Sequence, residues 1–248
     1  MELFSIDYVW IFFAILPIVA FMYAAVGHGG ASGYLAIMAL FSFAPEVMKP
    51  TALLLNLFVA AISFYHYWKT GHFNKKLFLS FAIASIPLAF AGGMIELDAS
   101  IYKKVLGVFL IFAILKMLNV FGKESDEIKD VKIWQGMAVG GTVGLFSGLI
   151  GIGGGIILSP VILLMHWGRM KEAAAVSALF IWVNSASGMV GQLSSGVTLE
   201  PQAFLLVGIA VIGGFLGAYL GSKKFNNKLL RYLLAFILTI SCAKLFLT

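Results

Sequence analysis

The chain has 248 residues, of which 61% are hydrophobic and only 11% are charged, with a net charge of +6 at pH 7. A water-soluble domain carries about 25% charged residues, so the composition excludes an ordinary soluble protein and indicates a membrane protein. The positive charge does not indicate nucleic-acid binding, because it lies in the loops between apolar runs, where membrane proteins collect Lys and Arg on the cytoplasmic side. The single cysteine, Cys242, excludes a disulfide framework.

The first apolar run, 8–45, contains no Asp, Glu, Lys or Arg. As one helix it would be about 57 Å long at 1.5 Å per residue, whereas the hydrocarbon core of a bilayer is about 30 Å thick. A break is therefore expected at the glycines of 27–33, and the similar run 133–165 is expected to break at 151–155. Helices are predicted near 8–26, 32–44, 50–68, 77–95, 101–121, 133–150, 155–167, 173–192, 201–221 and 227–247.

The polar stretch 122–132 divides the chain into two halves, 1–121 and 133–248, that repeat one pattern. The glycines of the two breaks align at one constant offset, and Thr51-Ala52-Leu53 matches Ser177-Ala178-Leu179. Internal repeats of this length are typical of transporters. We predict a first membrane repeat, a linker and a second membrane repeat.

Loop charges indicate that the two repeats are inverted. The loop 69–76 carries three lysines, whereas its counterpart 194–200 carries no Lys or Arg, and the next pair of loops reverses this bias. Counting positive charges places the linker and the loops 69–76, 166–172 and 222–228 in the cytoplasm and both termini on the far side. The predicted fold is all-α and polytopic, with two inverted-topology repeats of about five helical segments. Five crossings per half, or three crossings plus a re-entrant hairpin at the break, fit the charges equally well.

The second break carries a longer motif, Gly151-Ile152-Gly153-Gly154-Gly155 followed by Pro160 and then the segment 171–179. With the duplicated layout it resembles the TauE/SafE family of membrane proteins over nearly the whole chain. The first half departs from the motif, with Ala31 and Ala36 in place of the third glycine and the proline. The resemblance implies a secondary transporter of small sulfur-containing anions such as sulfite or sulfonates. Because the family is diverse, another small organic anion such as a carboxylate stays an alternative.

The glycine breaks are the candidate binding site. Residues that start a helix directly after glycine offer free N–H groups and a positive dipole end to an anion, and glycine allows close approach to the backbone. Tight helix packing by small residues is the alternative explanation. Gly107, in an uninterrupted span, is expected to tolerate alanine. The predicted substrate-binding residues are Gly27, His28, Gly29, Gly30, Asn56, Gly151, Gly153, Gly154, Gly155 and Asn184.

Three of these residues contribute polar side chains. Asn56 and Asn184 lie within predicted spans, where an amide usually turns inward, either to contact substrate or to bond two helices together. His28 lies inside the first break and is replaced by Ile152 in the second. An imidazole titrates near neutral pH, so His28 is a candidate proton carrier or anion donor, or else a buried hydrogen-bonded residue.

Other functional classes lack their sequence signals. No His-Glu-x-x-His or Gly-x-Ser-x-Gly motif is present, so an intramembrane enzyme is disfavoured, and a structural membrane subunit would not need glycine breaks. We expect no metal site and no cofactor; a coupling ion, H⁺ or Na⁺, is left open, as is the oligomeric state. The expected partners are a small anion and the lipid bilayer, without nucleic acid, in the bacterial inner membrane as a multi-pass protein.

Cysteine accessibility tests the inverted arrangement. Phe73→Cys and Thr198→Cys lie in repeat-equivalent loops and are expected to react with a membrane-impermeant thiol reagent from opposite sides of intact vesicles. Reaction of both from the same side would show that the halves are not inverted.

Overall fold

The computed structural model describes residues 9–118, 120, 128–223 and 228–247, and every regular element among these residues is an α-helix. Five of the helices, α3, α4, α6, α8 and α9, are long and apolar enough to cross a membrane. The predicted all-helical membrane fold is confirmed. The helices are α1 (Val9–Ala25), α2 (Ala31–Leu40), α3 (Pro45–Lys69), α4 (Lys75–Met94), α5 (Ala99–Met117), α6 (Ile133–Ile150), α7 (Gly155–Leu164), α8 (Met170–Ser194), α9 (Gln202–Lys223) and α10 (Lys228–Leu247).

Three helix boundaries differ from the sequence prediction. α3 begins at Pro45 and contains Pro50, so the segment between these prolines, predicted to lie outside the helices, is helical. Pro45 is tolerated in the first turn because the N–H groups there have no intrahelical acceptor, whereas Pro50 lies inside the helix and removes one backbone hydrogen bond. α2 and α7 end earlier than expected, each followed by a left-handed residue, Ser42 (φ 61°) and His166 (φ 57°).

Each half opens with a helical hairpin bent at its glycine break. In the first, the ring of Phe12 near the start of α1 lies 5.6 Å from that of Phe41 and 5.1 Å from that of Phe43, just after α2. In the second, the N–H of Lys129, just before α6, donates to His166 O just after α7 at 2.7 Å. The open ends of α1–α2 and of α6–α7 therefore lie together. In each half the hairpin is followed by three further helices, α3 to α5 in the first half and α8 to α10 in the second.

The helices of the two halves interleave. α1 packs along α9 and α6 packs along α4, while α3 and α8 pack against each other at the centre. Each hairpin thus rests on a helix from the other half. The inverted relation of the halves, and their boundaries at 1–121 and 133–248, stay predictions. Most of the predicted cytoplasmic linker 122–132 lies outside the described residues.

Two rows of glycines make these hairpin contacts unusually close. Along α6, a Cβ at Gly140, Gly144 or Gly148 would overlap the backbone of α4. Along α9, a Cβ at Gly213, Gly217 or Gly221 would overlap the backbone of α1. Glycine at every fourth position lets two helix backbones touch, which is a main source of helix association in lipid.

Alanine at Gly144 tests this packing. The added methyl would meet Ser85 Cα and backbone oxygen, and we expect a loss of about 1–3 kcal/mol of stability from overpacking, measured as a lower midpoint of thermal unfolding in detergent. Gly208→Ala is the control, because no atom lies within 4 Å of a Cβ there. Gly107 cannot serve, since a Cβ at that position would lie 2.8 Å from the Phe246 ring. Equal midpoints for the Gly144 and Gly208 variants would contradict the close packing.

Candidate functional site

The two hairpin tips adopt backbone conformations that favour glycine. Five of the seven predicted site glycines have φ between +72° and +105°, where an L side chain is strained. Gly29 and Gly155, the other two, have no positive φ. The chain can therefore turn sharply between the arms of each hairpin. The five positive-φ residues are Gly27, Gly30, Gly151, Gly153 and Gly154.

The tips meet at one place in the middle of the molecule. A Cβ at Gly29 would lie 2.6 Å from Asn56 Oδ1 and 2.9 Å from Ile181 Cγ2. A Cβ at Gly153 would lie 2.5 Å from Asn56 Nδ2 and 2.8 Å from the same Ile181 atom. Asn56 and Ile181 lie near the centres of α3 and α8. Two glycines from separate hairpins thus contact the same pair of side chains, which explains why neither can carry a side chain.

Asn56 is the polar residue between the tips. It is completely buried, and its Nδ2 donates to Ser185 Oγ at 3.3 Å. Its Oδ1 has no hydrogen-bond partner within the described part of the chain. Since an amide nitrogen has two hydrogens, Asn56 also keeps a second donor. A buried amide with unused bonding capacity is costly, and a ligand can supply the missing partner.

His28 joins the first tip to α7 and α8. Its Nδ1 lies 2.9 Å from Val26 O, and because a carbonyl only accepts, Nδ1 carries a hydrogen. Its Nε2 lies 3.0 Å from Ser159 Oγ, which in turn lies 2.8 Å from Ser177 Oγ and donates to Gly155 O at 2.9 Å. The ring is 5% exposed. His28 is therefore positioned by both ring nitrogens.

These contacts can accommodate a protonated imidazole. A serine hydroxyl has one hydrogen, and when Ser159 donates it to Gly155 O, its oxygen can accept from His28 Nε2. In that arrangement both ring nitrogens donate, as in the imidazolium. When the ring is neutral with hydrogen on Nδ1, Ser159 must instead turn its hydrogen towards Nε2. The site can thus hold either protonation state by rotating one hydroxyl.

Asn184 bonds within its own helix. Its Nδ2 donates to Phe180 O at 2.7 Å, and its Oδ1 is buried without a partner among the described residues. It stands three residues beyond Ile181, the α8 residue that a Cβ at Gly29 or at Gly153 would meet. The structure therefore places Asn56 against both tip glycines, whereas no side-chain contact joins Asn184 to them.

The short helices α2 and α7 start at the tips. Gly30 and Gly154 are their N-caps, and neither has a side-chain cap. The first backbone hydrogen bonds to these caps come from the N–H of Tyr34 in α2 and of Ile157 and Leu158 in α7. The preceding N–H groups of each helix lack an intrahelical acceptor and point out of the helix start. Both positive dipole ends thus face the centre of the protein.

Two predicted glycines lie farther from this centre. A Cβ at Gly27 would lie 2.7 Å from Ala174 Cβ, and one at Gly151 would lie 3.1 Å from Lys49 O.

The sequence argument did not identify the serines that bond to the site residues. Serine is common in membrane helices, so its presence there is a weak signal of a binding site. Ser159, however, lies within the sequence motif that ends at Pro160. The missed residues are Ser159, Ser177 and Ser185.

The site is a small, neutral cradle of backbone and side-chain donors enclosed by apolar residues. Within the described residues, no three His, Cys, Asp or Glu side chains are placed to hold a metal ion. Such an arrangement can bind a small anion without the cost of burying a permanent opposite charge. Helical hairpins that meet at broken ends inside an apolar bundle define a multi-pass membrane protein of the transporter class.

A family comparison identifies the group within that class. The family model of the sulfite exporter TauE/SafE matches residues 12–245. The chain belongs to this family and is a membrane transporter of the sulfite exporter type, as the resemblance implied. The expectation of a transporter rather than an enzyme is confirmed.

Curated relatives agree with the family. A probable membrane transporter protein of Sinorhizobium fredii is 36% identical over 92% of this chain and 94% of its own length. Probable membrane transporter proteins of Methanocaldococcus jannaschii and Bacillus subtilis are each 26% identical, over 77% and 80% of this chain and 75% and 80% of their own lengths. No solved structure gives a significant match.

Replacing His28 tests its part in the site. Because an imidazolium attracts an anion, we expect anion transport by the unmodified protein to strengthen as pH falls from about 8 to 5, the range in which imidazole ordinarily titrates. His28→Ala is expected to lower transport and to flatten this pH profile, measured as initial uptake into proteoliposomes. Ser80→Ala is the control, since Ser80 is a buried serine that bonds only Leu77 O in its own helix. An unchanged profile in well-folded His28→Ala would reduce His28 to a packing residue.

Proposed function

We propose that the protein is a secondary transporter that carries small sulfur-containing anions, such as sulfite and sulfonates, across the bacterial inner membrane. The anion binds between the two hairpin tips and is reached alternately from either side. The observation that carries this proposal is the meeting of Gly29 and Gly153 at Asn56, a buried amide with bonding capacity left unused.

Neutral donors suit an oxyanion in this position. The N–H groups after Gly30 and Gly154 come from opposite hairpins, and Asn56 Nδ2 adds a side-chain donor between them. Several N–H groups at helix starts bind sulfate-like and carboxylate groups without a cationic residue. His28, next to Gly29, has both ring nitrogens bonded to protein atoms, so when protonated it adds a positive charge rather than a donor at the edge of the same cradle. These donors support an oxyanion, and the family supports sulfur as its central atom.

The hairpin arrangement supports alternating access. If the halves are inverted, one hairpin enters from the cytoplasm and the other from the opposite side, and their tips overlap at the middle of α3 and α8. Withdrawing either tip would open the cradle to one side while the other tip keeps it closed. A site between two such repeats is the usual arrangement in secondary transporters.

A substrate panel tests the proposed function. Purified protein in proteoliposomes is offered sulfite, sulfate, thiosulfate, small sulfonates and small carboxylates, and uptake is compared with protein-free vesicles. We expect sulfite or a small sulfonate to be transported best. Preference for a carboxylate would identify the protein as a transporter of that anion, and absence of transport for every anion would contradict the proposal.

Alanine at Gly153 tests the location of the site. The methyl would lie against Asn56 and Ser185 Oγ, so it would block the approach of an anion to both the backbone and the amide. A hydrogen bond to a charged group contributes about 1.5–3 kcal/mol, so we expect affinity for the transported anion to fall about 10- to 100-fold. Equilibrium binding in detergent measures the affinity, and thermal unfolding measures stability in the same sample. Gly154→Ala is less informative, because its methyl would also meet Val143 and Phe180.

Gly71→Ala is the matched control. Gly71 has φ +78°, close to the +72° of Gly153, but no atom lies within 4 Å of a Cβ there. This variant therefore has the backbone strain of a positive-φ alanine without the obstruction. We expect normal anion affinity from Gly71→Ala. Normal affinity in Gly153→Ala as well would place the anion elsewhere.

A further inference from the structure

A cavity with a few polar residues in its wall lies away from the hairpin tips. Its volume is about 140 Å³, and it is enclosed by the first turns of α3, the end of α4, the start of α5, and the ends of α6 and α8. These helix ends lie at the Pro45 end of α3, opposite the basic loop that follows Lys69. The cavity reaches Leu149 at the end of α6, two residues before the second glycine break.

Gln192 is an unusual residue to find in the wall of this cavity. Its side chain is 1% exposed, and both its Nε2 and its Oε1 lack a hydrogen-bond partner in the described structure. A buried amide with neither atom bonded has a substantial desolvation cost, which a bound polar group would offset. Gln192 thus contributes to the wall of this cavity an amide with two unused bonding atoms, which a polar ligand would satisfy.

Lys49 supplies a positive charge to the same cavity. Its Nζ donates to Gly93 O and to Ile95 O, each at 3.1 Å, at the end of α4. An ammonium group has three hydrogens, so one donor remains for a ligand. The backbone oxygen of Lys49 lies 3.1 Å from the position of a Cβ at Gly151. The first turns of α3, which carry Lys49, thus pack against the second glycine break.

Two carboxylates also line the cavity, and they could favour a cation instead. Glu46 and Glu96 are both exposed, whereas Lys49 is half-buried and Gln192 is fully buried. Charges in contact with water are screened, and buried ones are screened much less. The groups that a bound ligand would meet in the interior are therefore the ammonium and the amide. This arrangement favours an anion in the interior and leaves the carboxylates at the solvated edge.

We propose that this cavity is an anion-binding vestibule, in which Lys49 and Gln192 hold a small oxyanion between the solution and the second glycine break. This assignment rests on the proposed function for the identity of the anion, and it adds a second binding position on the route to the hairpin tips. Tyr102, whose hydroxyl donates to Ile150 O at 2.9 Å, fixes the end of α6 at the floor of the vestibule.

The charge preference of the vestibule can be measured without altering either donor. Val197→Cys places a thiol in its wall, and the native Cys242 is buried, so the unmodified chain gives the background. The thiol is treated with an anionic reagent, 2-sulfonatoethyl methanethiosulfonate, and with its cationic trimethylammonium counterpart. For each variant, the rate of reaction with the anionic reagent is divided by the rate with the cationic reagent. We expect this ratio to be at least about threefold higher for Val197→Cys than for Thr198→Cys, which lies outside the cavity lining, because a charged cleft concentrates ions of opposite sign. Methanesulfonate is expected to slow the reaction.

Two lysine variants test whether Lys49 attracts an anion or only caps the end of a helix. Lys49→Met in the Val197→Cys protein is expected to lower the ratio to the level of Thr198→Cys. Lys244→Met is the matched control, because Lys244 also caps a helix, bonding Leu40 O and Ser42 Oγ after α2. A ratio favouring the cationic reagent, or the same ratio in both lysine variants, would overturn the proposal. Since the ratio requires no transported anion, a failed substrate panel would contradict the proposed function and leave the vestibule standing.

Discussion

A helix that ends inside a bilayer leaves backbone N–H and C=O groups where no water can bond to them, so its end must be enclosed by protein. This chain has two such ends, and each encloses the other. Gly29 and Gly153 close on Asn56 and Ile181, and the bond between His28 and Ser159 joins the first tip to the helix that follows the second. The closeness that buries these backbone groups also leaves no room for side chains. A ligand between the tips can therefore be bound mainly by backbone N–H groups.

The two halves are alike in backbone but differ in polarity. The fifth residue is Ser159 in α7 and Leu35 in α2. His28 of the first tip likewise corresponds to Ile152 of the second. One side of the hairpin contact thus carries connected polar groups, and the equivalent positions on the other side are apolar. The bond between His28 and Ser159 therefore has no polar counterpart at Ile152 and Leu35.

Much of the fold follows from the sequence, because the bilayer limits helix length and glycine interrupts it. The two breaks were located correctly, and all ten described helices lie near their predicted positions. Side-chain partners could not be predicted in the same way. Asn56 and Asn184 were both predicted to contact substrate, but the structure places Asn56 and Ile181 against the tip glycines, and Asn184 bonds Phe180 O in its own helix. The 27 glycines also look alike in sequence, and only the structure separates those at the tips from Gly144, which touches α4, and Gly208, which touches nothing.

The glycine rows limit which parts of the protein can move during transport. α1 is held along α9, and α6 along α4, by backbone contacts so close that a methyl group would separate them. The long arm of each hairpin is therefore fixed to a helix of the other half, and tilting a whole hairpin would have to carry that helix with it. The short arms α2 and α7 have no such glycine contact, and each is joined to its long arm by a glycine turn with positive φ. Interfaces packed backbone to backbone act as rigid bodies, whereas glycine turns absorb large changes in φ and ψ. Under the proposed mechanism, opening at one tip requires either movement of a short arm about its glycine turn or rotation of two paired helices together.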